Sequence, residues 1–164
     1  MTDVLDNFSR AKEFEHAQVE SFLDDGYYFD RSEDFIQRGL EQILGESFHK
    51  KDWGGEENDL YTTKISIQGR RVAAAFLLKG NGLKGRVMEI ADCGKNGDQI
   101  IRLVQSPAQL FIIQFVGRIS ENAIKDIKGK IELLRSKGQE AWYCILEGED
   151  IAKIFKAYSV FEAE

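Results

Sequence analysis

The chain has 164 residues, 43% hydrophobic and 30% charged, with 15 glycines and a single proline, a balance that fits one globular domain with its own core. Cys93 and Cys144 are the only cysteines and His16 and His49 the only histidines, which excludes a disulfide scaffold, a four-cysteine zinc site and a histidine-rich metal centre. No apolar run approaches the roughly 18 residues that a membrane-spanning helix needs, and the acidic start lacks the apolar core of a signal peptide, so a cytoplasmic protein with no membrane partner is expected.

The net charge of −6 is unevenly spread. Residues 1–59 hold 16 acidic and 6 basic side chains, whereas residues 60–105 hold 8 basic and 3 acidic ones. From Lys64 to Arg86 there are six basic residues and no acid. The overall acidity argues against broad coating of DNA, because nonspecific affinity comes from neutralised phosphates. A local basic strip remains compatible with a polyanion held at one place, or with an ordinary solvated hairpin face.

In chain order, residues 1–30 carry apolar side chains at helical spacings, Val4, Leu5, Phe8, Ala11, Phe14, Val19, Phe22 and Leu23, and predict helix. The aromatic run Tyr27-Tyr28-Phe29 reads as a packing plug, or as a partner surface if exposed. Ser32 followed by Glu33 and Asp34 is an N-cap signature, and Phe35, Ile36, Leu40, Ile43 and Leu44 continue as an amphipathic helix ending at Gly45. Residues 50–58 form a polar loop, after which the period changes to two. Residues 61–67 and 71–79 predict a hairpin turning at Gln68-Gly69-Arg70, with 86–90 as the third strand of a meander. A short helix over 99–104, a buried strand over 110–116, a helix over 120–137, a strand over 142–146 and a last helix to about 158 complete the pattern. Strand–helix–strand units near the C-terminus imply a parallel crossover. The expected fold is α/β, a single domain over 1–164 with N-terminal helices at 1–46 and a central mixed sheet flanked by helices over 47–164.

Two features stand out chemically. The loop Asp52-Trp53-Gly54-Gly55-Glu56-Glu57-Asn58-Asp59 sets carboxylates beside glycines at the mouth of the hairpin, where a hard divalent cation finds its ligands; an acidic turn is the plainer reading. Lys79 closes the otherwise apolar strand from Ala73 to Leu78, where lysines usually snorkel to solvent. Asp59 opens the hairpin and Lys79 closes it, so the two should be neighbours. Elsewhere, Gln114 interrupts an apolar strand, as a buried amide that satisfies a backbone group would. Cys93 and Cys144 read as small core residues.

Asp59, the hairpin, and Phe76-Leu77-Leu78-Lys79-Gly80 together resemble the PD-(D/E)xK nuclease superfamily, the restriction-endonuclease-like fold, whose αβββαβ order residues 32–116 would follow. The resemblance implies phosphodiester hydrolysis, with Mg²⁺ or Mn²⁺ on Asp59 and the Leu78 carbonyl, Lys79 orienting the attacking water, and Gln99 on the following helix. It implies nucleic acid as partner, DNA ahead of RNA, with a homodimer where both strands are cut. Leu77 stands where the family has a second acid. Glu41 on the preceding helix, Glu56 or Asp98 would have to supply it. Lys64, Arg70, Arg71, Lys84 and Arg102 would track the nucleic-acid backbone. The sequence therefore leaves three readings: a metal-dependent nuclease, possessed of a replacement acid, in defence or DNA processing; an inactive relative that binds nucleic acid or protein; and an interaction module built on its acidic N-terminal helices.

Overall fold

The computed structural model describes residues 5–46 and 58–163. Residues 5–23, expected as helix, form short turns instead: 3₁₀ turns at Ser9–Glu13 and Glu20–Phe22 and a single α-turn, α1, at His16–Val19. The apolar spacing is used all the same, since Leu5, Phe8, Ala11, Val19 and Leu23 are buried. Phe8 lies in the left-handed region at φ 62°, which interrupts any continuous helix there.

Helix α2, Glu33–Leu44, begins and ends as its cap residues dictate. The Ser32 hydroxyl accepts the Phe35 amide at 3.1 Å, and Gly45 closes the helix at φ 71°. The hairpin follows as β1, Leu60–Ile67, and β2, Arg70–Lys79. Its turn residues Gln68 and Gly69 both have positive φ, as a two-residue hairpin loop requires. The third meander strand does not join them. β3 is only Val87–Met88 and pairs in parallel with β5, Arg118–Ile119, in a separate two-stranded sheet. Between these lie α3, Asp98–Val104, and β4, Leu110–Phe115; α4, Glu121–Ser136, β6, Trp142–Leu146, and α5, Gly148–Ala157, complete the chain order.

The main sheet is mixed, in the order β1-β2-β4-β6. β1 runs antiparallel to β2, with Leu60 opposite Phe76. β2, β4 and β6 are parallel, with Lys79 beside Phe115 and Gln114 beside both Leu78 and Leu146. All six residues of β4 are buried, as expected of a central strand covered on both sides.

Adjacent residues of β1 identify the two covering layers. The Thr62 hydroxyl donates to Glu46, just beyond α2, at 2.8 Å, while the Tyr61 hydroxyl donates to the Pro107 carbonyl, just beyond α3, at 2.9 Å. Neighbouring strand residues point to opposite faces, so α2 and α3 lie on opposite sides of the sheet. α5 shares the α2 layer, where Phe29, Phe35, Phe155 and Phe161 meet with ring centroids 5.7–6.4 Å apart. Aromatic pairs in such arrangements add about 0.5–1.5 kcal/mol each beyond the area they bury.

The carboxyl ends of the parallel strands, where open α/β sheets usually take ligands, are sealed by backbone. A Cβ at Gly80, just after β2, would overlap the Glu33 amide nitrogen, and one at Gly148, just after β6, would overlap the Val116 and Tyr27 carbonyl oxygens. The Phe29 amide donates to the Val116 carbonyl at 2.8 Å across the same end. The remaining corner of that end lies on the α3 side of β2.

Candidate functional site at the end of strand β2

β2 ends at Leu78 and Lys79, and side chains from both neighbouring strands hold those two residues. On the β1 side, the Asp59 amide donates to the Phe76 carbonyl at 2.8 Å. The Asp59 carboxylate accepts the Leu78 amide at 2.8 Å, so the side chain extends the hairpin ladder beyond Leu60. On the β4 side, the Gln114 carboxamide oxygen accepts the Lys79 amide at 3.1 Å. Gln114 is fully buried, and its expected role of satisfying a backbone group is met at this bond. The expectation that Asp59 and Lys79 lie at one end of the hairpin is met as well.

Strand parity decides which face each side chain occupies. Leu60 pairs with Phe76 and Thr62 with Ala74, on the α2 face. Asp59, Tyr61, Leu77 and Lys79 are out of phase with these and occupy the α3 face. Lys79 is half-buried, and among the described residues its ammonium makes no hydrogen bond or ion pair. Its charge is felt nearby: burial pushes the Cys93 thiol up to about 11, with the Lys79 ammonium pulling the other way. Cys93 is thus an inert core thiol. Its carbonyl accepts the Gln99 amide at 2.9 Å, which brings the first turn of α3 to this corner.

On α3, Asp98 and Arg102 are an i,i+4 pair at 3.5 Å. One oxygen of Asp98, the Gln99 carboxamide oxygen and the Arg102 Nε are buried without a hydrogen-bond partner among the described residues. Gly94 makes room for the Asp98 carboxylate, since a Cβ there would overlap Oδ1. Gln99 and Arg102 are otherwise partly exposed.

The remaining expected residues are placed elsewhere. Glu41 is buried on α2, across the sheet from Lys79. Glu56 lies outside the described residues, as do Asp52 and Trp53. Lys64 donates to the Gly45 carbonyl at 2.6 Å and lies 3.8 Å from Glu46. Arg70 pairs with Glu140 and covers the Trp142 ring. Arg70 and Arg71 start β2, roughly 25–30 Å from Lys79 at about 3.3 Å per residue. Lys84 is exposed in the loop after β2. Of the five basic residues, only Arg102 is on the element that packs against the Lys79 corner. The aromatic run is a plug: Tyr28 and Phe29 are buried, and Arg118 lies 4.4 Å from the Tyr27 ring centre.

Among the described residues the donor set for the cation that the resemblance implies is incomplete: Glu56 lies outside them and Asp98 is paired with Arg102. One Asp59 oxygen already accepts an amide, Leu77 offers no lone pair, and Glu41 faces the other layer. Among the described residues no group of three His, Cys, Asp or Glu side chains could hold a metal ion. Nor is any helix among them long and apolar enough to cross a membrane. What sequence reading underestimated was Gln114; the signal was one amide in an otherwise apolar strand.

Comparison with protein-family models, with curated proteins and with solved structures returned no match.

Proposed function

We propose that this chain is a restriction-endonuclease-like domain that binds the phosphate backbone of nucleic acid at the Lys79 corner without cutting it. The observation that carries this reading is the half-buried Lys79, held in place through its backbone, on the same face as Asp59 and with no ion-pair partner for its ammonium among the described residues. An ammonium in that setting is a point charge for a phosphate oxygen. Arg102 and Gln99, both partly exposed on α3, are the neighbours that would add contacts. The acidic remainder of the surface keeps binding local and salt-sensitive.

Metal-dependent hydrolysis, the activity that the resemblance implies, needs a second carboxylate. Glu56 is the acid whose substitution tests for it. Titrating labelled single-stranded DNA, duplex DNA and RNA into wild type and Lys79→Met separates the readings. Binding should weaken about tenfold in Lys79→Met for all sequences, with the salt slope reduced by about one. Wild-type binding that Lys79→Met leaves intact would overturn the site. Cleavage in Mg²⁺ that disappears in Glu56→Gln would replace binding with the nuclease.

A further inference from the structure

We infer that Gln114 is a positioning residue for Lys79: it sets where the ammonium sits by holding the Lys79 amide. This rests on the reading of Lys79 as the phosphate-binding group. The geometry is specific. β4 lies parallel to β2, with Gln114 in register with Leu78, yet its carboxamide oxygen reaches one residue onward to the Lys79 amide at 3.1 Å. The residue before is held from the other side by Asp59, at 2.8 Å. Two consecutive amides are therefore clamped by side-chain oxygens from opposite flanks, at the point where the strand gives way to Gly80 and the loop. Gly80 itself has no freedom, being packed on the start of α2.

Gln114 also carries a cost that an apolar residue would avoid. Its Nε2 is buried without a partner among the described residues, in a strand whose other members are all apolar. A leucine or methionine there would suit the core. The amide is explained by what its oxygen does. Without that bond Lys79 keeps its ladder pairing with Phe115 but loses the side-chain acceptor for its amide, and the ammonium is held less firmly on the α3 face.

The test is a double-mutant cycle on the full chain with single-stranded DNA as probe. Gln114→Met keeps the volume and removes the acceptor, while Gln114→Glu keeps an acceptor. Gln114→Met should weaken binding about fivefold in the wild-type background and not at all in Lys79→Met, and Gln114→Glu should recover part of the loss. Equal losses in both backgrounds would overturn the inference and leave the Lys79 site standing. If Lys79→Met itself binds as wild type does, the site reading fails. The ¹³Cε and ¹Hε shifts of Lys79, measured without DNA, still judge Gln114: they should move in Gln114→Met, and unchanged shifts would overturn its role.

Discussion

The Asp59 carboxylate and the Leu78 amide, 19 residues apart in the chain, are joined by a 2.8 Å hydrogen bond that closes the open end of the β1–β2 hairpin. Leu78 is fully buried, so its amide has no water to turn to if this acceptor is removed. The bond uses the residue that a nuclease would assign to a metal for a structural purpose. It also brings Asp59 to the face of Lys79.

Removing that acceptor should be felt in stability before it is felt anywhere else. Asp59→Ala leaves a buried donor unsatisfied, which costs about 1–3 kcal/mol. Asp59→Asn retains an acceptor and should lose well under half of that. Urea unfolding of the three proteins checks this; an Ala variant as stable as wild type would show that the bond contributes nothing.

Gly80→Ala should be far more damaging than its size suggests. The added methyl would overlap the Glu33 amide nitrogen and the Ser32 carbonyl carbon, both backbone atoms that cannot rotate aside. Overpacking of this kind costs about 1–3 kcal/mol or more. Thermal unfolding should show a clear drop, whereas Gly129→Ala, with open space around its Cβ position, should not. Similar midpoints for the two would contradict the tight packing of α2 on the end of β2.

Asp150 gives the protein a pH dependence of stability. Burial raises its carboxyl from 3.8 to about 6, partly offset by the Glu147 amide, which donates to it at 2.8 Å, with the Glu147 charge adding to the rise. The folded chain thus holds this proton more tightly than the unfolded one, and stability falls as pH rises between about 4 and 6. Above that window the ionised carboxylate costs about 2 kcal/mol, at 1.36 kcal/mol per unit and allowing for partial exposure. Asp150→Asn keeps an acceptor for Glu147 and should therefore be more stable than wild type at pH 8 and equal to it near pH 4. Parallel stability–pH curves for the two proteins would refute this.

Basic residues already engaged by the protein should matter little to nucleic acid. Lys64 is spent on the C-terminus of α2 and Arg70 on Glu140 and Trp142. Lys64→Met and Arg70→Met are expected to change DNA affinity less than twofold, against about tenfold for Lys79→Met, under the same salt conditions. A loss at Arg70 equal to that at Lys79 would mean that the backbone runs along the whole hairpin.

Local chemistry made much of this fold legible from sequence. Ser32 and Gly45 bounded α2 because a hydroxyl cap and a left-handed glycine act within one turn. Gln68-Gly69 fixed the hairpin because the loop needs two residues at positive φ. The apolar run of β4, interrupted only by Gln114, marked the centre of the sheet, where both faces are covered. Because a hairpin brings its outer ends together, the sequence was also enough to put Asp59 and Lys79 at one end.

Tertiary structure decided the rest. A two-residue strand such as Val87–Met88 carries no periodicity that names its partner, and β5 claimed it instead of β2. The apolar spacing at 5–23 is satisfied by short turns packed on α5 as well as by a helix, and only packing chooses between them. Which layer α2 and α3 each cover was equally invisible in the sequence, yet it separates Glu41 from Lys79. A residue's type travels with the sequence, but whether two side chains share a face is set by strand pairing and by the layer each helix occupies.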